Sequence, residues 1–216
     1  MTEILKPILR LESPEDYSQV EWLTREAFWN VHVPGCNEHY LAHVLRDSPD
    51  FIAELDFVVL VDGKIVGNIM YAFSELRDST AKAHRVITFG PVSVLPEYQS
   101  RGIGKALITH TMALAGQLGH KIVLIYGDPE YYRRFGFVAG EIYGIRTNEG
   151  YYSPALQVME LIPGALTGIS GNFFEAEVYH LAPEVPEEFE AAFEPKEQFE
   201  TPSQKRFLEL LSQSHL

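Results

Sequence analysis

Apolar residues in the first third of the chain form one strand-type run followed by two helix-type stretches. The run at residues 4–11 predicts a strand, and Pro7 confines that strand to a sheet edge or a bulge. Ser13-Pro14-Glu15-Asp16 is typical of a helix start, with a serine cap, proline at the first helical position and an acidic residue three after the cap. Helical spacing then predicts one helix up to Pro34-Gly35 and a second over residues 38–45.

The next stretch alternates with the period of two that is typical of strands. Residues 55–61 and 64–73 predict two strands joined by a hairpin at Asp62-Gly63. The polar residues 77–84 predict a loop, and a third strand ends at residues 89–95. Pro91 cannot donate a ladder hydrogen bond, so Gly90-Pro91 predicts a bulge or a splay in this strand.

Helical spacing returns after residue 104 and predicts a helix from Lys105 that ends at Gly119. The apolar run 122–126 predicts a buried strand parallel to the preceding one, as a strand–helix–strand crossover requires. A short helix over 129–135, a strand from Phe137 and another over 155–161 complete the order. The sequence therefore predicts an α/β fold, with a mixed sheet and helices on both faces.

The pattern weakens after Pro163-Gly164. We therefore predict a domain over residues 1–163 and a C-terminal extension over 164–216. Residues 181–202 are rich in proline, glutamate and phenylalanine and predict an extended arm, followed by a capping box at residues 201–204 and a short amphipathic helix. Such a helix is marginal alone. The extension must dock on its own domain or on a second subunit, which would make a homodimer; the sequence leaves both open.

Composition narrows the class of protein. The 216 residues are 46% hydrophobic and 22% charged, which is ordinary for a globular domain, and the net charge is −13. Nine glutamates lie between residues 175 and 200, so the extension carries much of this acidity. Acidity argues against nucleic acid as a partner. One cysteine, no signal-peptide pattern at the N-terminus and no 18-residue apolar segment predict a cytoplasmic protein without a membrane partner.

The stretch FGPVSVLPEYQSRGIGKAL at residues 89–107 carries the first chemistry. A strand leads through a turn and a glycine-bearing loop directly into a helix, whose first amides lack partners and whose dipole favours an anion. This predicts a pyrophosphate site. A P-loop is excluded because Gln99 replaces its first glycine and Ala106 its hydroxyl, and a dinucleotide fingerprint is excluded because Leu107 stands at its third glycine.

What fits is Q-x-x-G-x-G, from Gln99 to Gly104, behind the alternating strand and Pro96. This resembles the acyl-CoA signature of the GNAT superfamily of N-acyltransferases. The resemblance extends over about residues 4–161 and implies the GNAT fold, with acetyl-CoA as co-substrate and no metal. It implies that a backbone amide of the splayed strand polarises the acyl carbonyl and that loop amides hold the pyrophosphate. The implied cofactor-binding residues are Val92, Ser93, Val94, Gln99, Ser100, Arg101, Gly102, Ile103, Gly104 and Lys105.

A second segment, GDPEYYRRFGF at residues 127–137, resembles the part of the GNAT fold that closes over the cofactor. Aligned on Gly136, Tyr132 matches the tyrosine that in many family members protonates the departing CoA thiolate, and Tyr131 matches the preceding buried aromatic. The segment also resembles that of one bacterial subgroup of predicted N-acetyltransferases. The alternative for Tyr132 is a packed core aromatic.

The resemblance implies transfer of an acetyl group to a primary amine, on a small molecule or a peptide, by direct attack in a ternary complex. A CoA-binding regulatory module with weak or no catalysis is the alternative, and an interaction protein acting through the acidic arm is a third. No general base is evident; Glu75 and His84 are candidates by position only.

One histidine-rich segment remains. VHVPGCNEHYLAH places His32, Cys36, His39 and His43 close together in sequence. Zinc binds such residue types, but the spacing matches no standard site, so no metal is expected. The segment is then an ordinary loop and helix or, by the family resemblance, part of the acceptor side.

Overall fold

A computed structural model describes residues 7–182 and 184–216. Part of the predicted first strand, residues 4–6, lies outside the described residues. The remainder forms strand β1 (Ile8–Leu11), which pairs antiparallel with β2 (Phe57–Val61). Within the described residues β1 ends the sheet, so the prediction of an edge strand is confirmed.

The two predicted helices are α1 (Tyr17–Phe28) and α2 (Glu38–Leu45). A short 3-10 turn over Pro14–Asp16 precedes α1, and Ser13 and Asp16 form the predicted capping box. The chain leaves α1 through Trp29 and Asn30 and turns at Gly35, whose φ of +78° suits glycine.

The centre of the sheet is a long hairpin of β3 (Lys64–Asp78) and β4 (Ala83–Val94). The prediction of a loop over residues 77–84 is wrong, because both strands continue into that stretch. Asp78 closes a tight turn instead, since its Oδ1 accepts from the Thr80 and Lys82 amides at 2.9 and 3.1 Å. The polar residues there mark the exposed tip of a hairpin.

The predicted irregularity at Gly90-Pro91 is confirmed. The register of β3 and β4 shifts between the pairs Ile69↔Val92 and Tyr71↔Phe89, opposite Gly90 and Pro91. Helix α3 (Ile103–Gln117) follows, and then β5 (Ile122–Tyr126), parallel to β4 as predicted. Helix α3 begins two residues before the predicted Lys105, because Gly102, with φ of +84°, is its cap.

The second half adds short elements around β5. Helix α4 (Pro129–Tyr132) continues as a 3-10 turn over Arg133–Phe135, and β6 (Val138–Ala139), β7 (Ile145–Arg146) and β8 (Leu156–Glu160) follow. Strand β9 (Gly171–Phe174) pairs antiparallel with the end of β3 and parallel with β7. No strand-type pattern in the sequence predicts β7 or β9, because runs of two and four residues are too short to show a period.

In the part of the chain that the structure describes, nine strands form one sheet, with a main order of β1-β2-β3-β4-β5-β8-β6. Two apolar layers cover it. On the α3 face, Ile87 and Phe89 of β4 and Val123 of β5 pack with α3. On the opposite face, Met70 and Ala72 of β3 pack with α2, which we call the α2 face. No helix among the described residues is long and apolar enough to cross a membrane.

The arm returns to its own chain. Helix α5 (Glu187–Glu190) carries Glu190, which pairs with the buried guanidinium of Arg25, and the Glu197 carbonyl accepts from the Trp29 indole at 2.9 Å. Helix α6 (Pro202–Ser212) follows, and Arg206 lies 3.4 Å from Asp128. The boundary at residue 163 and a homodimer through the extension stay predictions.

Candidate active site

Strands β4 and β5 diverge at the centre of the sheet. Among the described residues their ladder contains the single register pair Ile87↔Val123, after which β4 bulges at Gly90-Pro91. Beyond that pair, β5 has β8 on its other side but no longer follows β4. The second half of β4 therefore has an open edge, which forms the wall of a cleft.

The open edge presents backbone amides. The Leu95 amide donates to Val66 on β3 at 2.9 Å. Because hydrogen-bonding direction alternates along an antiparallel strand, Ser93 also faces β3, and the amides of Val92 and Val94 face the cleft. These two donors are therefore oriented toward anything that binds between β4 and β5.

The glycine loop, residues 99–104, joins this edge to α3. Gln99 Nε2 donates to the Val94 carbonyl at 3.1 Å, which fastens the loop to β4. Ser100 and Gly102 both have positive φ, +59° and +84°. An added Cβ at Gly102 would meet no atom within 4 Å, so the space in front of the helix start is open. The first amides of α3, from Ile103 to Lys105, have no partner within the helix and point into that space.

Cationic side chains surround the same opening. Lys105 and Arg134 line a groove of about 450 Å³ between α3 and the segment after β5, together with Met112, Phe135 and Met159. Arg134 stacks on the Tyr131 ring with Cζ 4.3 Å from its centroid, and Arg101 lies 5.5 Å from the Tyr98 ring. A helix start flanked by three cations favours a phosphorylated ligand.

The two adjacent tyrosines have different surroundings. The Tyr132 ring packs among Phe89, Phe135 and Phe137, and an added Cβ at Gly127 would lie 2.2 Å from its Cε2. Burial raises the pKa of the Tyr132 phenol well above its usual value, so the hydroxyl keeps its proton at neutral pH. The Tyr131 hydroxyl instead lies over the start of α3, 3.0 Å from where a Cβ of Gly104 would be.

Ser93 and Ile103 differ from the rest of the predicted cofactor-binding set. The Ser93 hydroxyl is buried and donates to Thr24 of α1 at 3.2 Å, and Thr24 in turn contacts Asn68 at 3.3 Å. The Ile103 side chain is buried in the core. The structure thus brings together Val92, Val94, the glycine loop and Lys105 at the cleft, whereas the Ser93 and Ile103 side chains point into the protein.

Comparisons with known proteins show which known domain and which solved structures this architecture resembles. A family model described as an acetyltransferase (GNAT) domain matches residues 52–139. The uncharacterized N-acetyltransferase YhbS of Escherichia coli K12 is 28% identical over 165 residues, which are 76% of this chain and 93% of that protein. The crystal structure of YhbS in complex with CoA superposes with a TM-score of 0.72 at 24% identity, covering 84% of this chain and 96% of that one.

A GNAT family acetyltransferase from Brucella melitensis, solved in complex with acetyl-CoA, has a TM-score of 0.65 at 26% identity, with 81% of this chain and 98% of that chain covered. Residues 52–139 therefore form an acetyltransferase (GNAT) domain. The predicted fold class, an α/β mixed sheet of the GNAT type, is confirmed, and so is the prediction of an enzyme of this class. Membership of the bacterial subgroup named from the GDPEYYRRFGF segment stays a prediction.

In this GNAT acetyltransferase the histidine-rich segment forms hydrogen bonds and ring contacts. His39 is buried, its Nε2 lies 2.8 Å from Glu190, and its Nδ1 lies 3.5 Å from the Cys36 sulfur. His43 contacts Glu21 at 3.0 Å, and His32 stacks on Phe207. Burial raises the pKa of the Cys36 thiol, so it is a poor nucleophile. Within the described residues no group of three or more metal-binding side chains comes together.

The two positional candidates for a base lie far from the cleft of this GNAT acetyltransferase. Glu75 pairs with Arg77 at 2.8 Å, and His84 Nε2 lies 2.9 Å from Asp78. Both residues belong to the hairpin tip, six or more positions along the ladder from Pro91. At about 3.3 Å per residue that is roughly 20 Å from the exposed amides.

A carboxylate that the sequence did not single out lies closer. Glu175 follows β9 directly, and desolvation by the surrounding protein raises its pKa to about 7. Its charge acts on the phenols of Tyr126, at the end of β5, and Tyr179, and raises the pKa of both. In the sequence Glu175 is one of nine glutamates in an acidic stretch, and no local pattern distinguishes it.

Proposed function

We propose that this enzyme transfers an acetyl group from acetyl-CoA to a primary amine by direct attack in a ternary complex. The observation that carries the proposal is the open edge of β4, whose Val92 and Val94 amides lead through the glycine loop to the exposed start of α3. The complexes of YhbS with CoA and of the Brucella melitensis protein with acetyl-CoA support the choice of donor.

The pyrophosphate of the donor would lie on the glycine loop. Amides from Gln99 to Lys105 supply directed N–H groups, and the open space at Gly102 allows a phosphate to approach the backbone. Lys105, Arg101 and Arg134 add positive charge around this position. The acyl chain would then extend along the cleft toward Val92.

The backbone and Tyr132 would divide the chemistry. A cleft-facing amide of Val92 or Val94 donates to the thioester oxygen and stabilises the negative charge that develops there, as an oxyanion hole does. Tyr132, which keeps its proton at neutral pH, donates that proton to the departing sulfur. Binding both reactants in one cleft supplies the proximity that a bimolecular reaction lacks.

The test measures free thiol released from acetyl-CoA with spermidine, an aminoglycoside and an Nα-blocked lysine as acceptors, alongside the thermal shift caused by CoA. Amine-dependent thiol release supports the enzyme. A thermal shift with no release for any amine would instead support the alternative, a CoA-binding regulatory module. No shift and no release would contradict both.

A further inference from the structure

We infer that Glu175, supplied by the C-terminal part of the chain, binds the ammonium of the acceptor and accepts its proton. The inference rests on the proposed function and adds to it the identity of the base and the chemical class of the acceptor, a cationic primary amine.

The position of Glu175 follows from the register of β9. Strand β9 pairs Phe173 with Leu76 and Phe174 with Glu75 of β3, so Glu175 comes opposite Ser74. The Ala176 amide donates to the Ser74 hydroxyl at 3.3 Å and fixes this end of the strand. Phe173 packs with Leu76 on the α2 side of the sheet, and the period of two along a strand puts the Glu175 side chain on that same side.

Two contacts direct the segment around Glu175 from the hairpin toward the point where β4 and β5 diverge. Because Ile87 pairs with Val123 in a parallel ladder, Gly90 of the bulge comes level with Tyr126. Tyr179, four residues after Glu175, donates its hydroxyl to the Gly90 carbonyl at 3.0 Å. Phe173, two residues before Glu175 on the same side of the sheet, already has its ring 5.9 Å from that of Tyr126, and the chain runs from there toward Gly90. In agreement with this direction, the Glu175 charge raises the pKa of the Tyr126 and Tyr179 phenols.

The carboxylate differs from three shielded acids of this protein that each have a guanidinium partner. Asp16 pairs with Arg10, Glu190 with Arg25, and Glu12 with Arg46. At Glu175 desolvation is the one cause that raises the pKa, and no cation within the described residues offsets it. The titratable groups near it are the phenols of Tyr126 and Tyr179, and Glu149 also acts on Tyr126. A shielded carboxylate without a cation is costly unless a ligand supplies one.

The aromatic walls suit the same ligand. Tyr126 is 39% exposed and its ring lies 5.9 Å from that of Phe173, so an aromatic surface stands at the entrance on this side. Ammonium groups bind favourably to the faces of tyrosine and phenylalanine rings. A primary alkylammonium would therefore meet a carboxylate and ring faces at the same place.

The proton balance assigns one role to each side of the cleft. Glu175 takes one proton from the ammonium and leaves a neutral amine with a free electron pair. That pair forms the C–N bond to the acetyl carbon, and the C–S bond then breaks. Tyr132 gives its proton to the sulfur and regains one from the new amide nitrogen, and Glu175 releases its proton to water. In sum, one ammonium and one acetyl-CoA give one acetamide, one CoA thiol and one free proton.

The experiment compares wild type, Glu175→Gln and the matched control Glu177→Gln, which replaces an exposed glutamate of the same segment. With spermidine, Glu175→Gln should lower kcat by a factor of about 100 or more, the range of general base catalysis, with KM for acetyl-CoA unchanged. The wild-type rate should rise with pH through about 7, and the variant should lose that rise. Hydrazine, which is largely uncharged at pH 8.5, should show a much smaller defect in the variant.

The outcomes separate the two proposals. If wild type releases no thiol with any amine, the proposed function fails and this inference with it. If wild type is active and Glu175→Gln keeps its kcat and its pH profile, this inference alone is wrong. A CoA-induced thermal shift equal to that of wild type shows that the variant is folded, and an equal defect with spermidine and hydrazine would also contradict the role as base.

Discussion

The two sides of the cleft are built in different ways. The proposed donor side consists of the open edge of β4, the glycine loop, the start of α3 and Tyr132, and it comes from one continuous stretch, residues 90–137. The proposed acceptor side comes from beyond residue 170, where Phe173 contacts Tyr126 at the end of β5, Tyr179 donates to Gly90 of the bulge, and Glu175 lies between them in sequence. One side is local in sequence, and the other depends on long-range packing.

The two sides therefore require different interactions in order to form. The donor side requires a turn, two glycines and a helix start, which neighbouring residues supply to one another. The acceptor side requires β9 to join β3, and the chain that follows it is fastened to α1 through the Arg25–Glu190 pair. Changes in the extension should therefore affect the acceptor side and spare the donor side.

The largest expected effect on stability comes from Glu190→Ala. The Arg25 side chain is 3% exposed, and removal of its partner would leave a shielded charge with the Glu194 carbonyl and the Trp29 ring as its main contacts. We expect a loss of about 3 kcal/mol in the free energy of unfolding, measured in urea. The protein that remains folded should bind CoA with an unchanged Kd. Glu188→Ala, at an exposed position of the same helix, is the control, and equal losses would contradict the docking role.

Next in size is Tyr132→Phe, which tests the donor side. If Tyr132 donates the proton to sulfur, kcat should fall about a hundredfold, while the Kd for CoA changes little. Tyr131→Phe is the matched variant, and because its hydroxyl lies over the start of α3 it should change KM for acetyl-CoA rather than kcat. A kcat of Tyr132→Phe near that of wild type would leave the packed aromatic as its role.

The stability of Glu175→Gln should depend on pH. The folded-state pKa of Glu175, about 7, exceeds the ordinary 4.5, so wild type loses stability as pH rises from about 4.5 through 7. Glutamine cannot ionise. The free energy of unfolding of the variant, relative to that of wild type, should therefore be about 2 kcal/mol higher at pH 8 than at pH 5, after allowance for partial solvent screening. Urea unfolding at both pH values measures this, and a difference that does not change with pH would show that Glu175 is solvated.

The smallest effect is expected for Lys105→Ala. Lys105 is an exposed cation at the rim of the donor groove, where screened ion pairs contribute up to about 1 kcal/mol. KM for acetyl-CoA should rise two- to fivefold by this measure, and more at low salt than at high salt. Lys121→Ala, at an exposed position before β5, should leave KM unchanged. A change in kcat for Lys105→Ala would contradict a role limited to binding.

The sequence predicted the backbone geometry of the proposed donor side because its signals are local. The bulge at Gly90-Pro91 follows from the missing amide of proline, and the helix start follows from the glycine pair. The sequence did not predict the proposed acceptor side, because β9 has only four residues and no local pattern distinguishes Glu175 from the eight other glutamates of the acidic stretch. The hairpin tip was misassigned for a related reason, since Arg77 and His84 are polar although the backbone around them is fully paired. At the tip, β3 pairs with β4 across the short turn and, on its other side, with β9, which is distant in sequence.

Strand β9 also has a consequence for how such an enzyme diversifies. It enters the sheet from outside residues 52–139, the stretch that matches the family domain, and meets the central hairpin only at its end. If this late segment binds the amine as proposed, mutations and insertions in it would change the amine site without altering the residues that match the family domain. On this proposal the acceptor could change without a new catalytic domain.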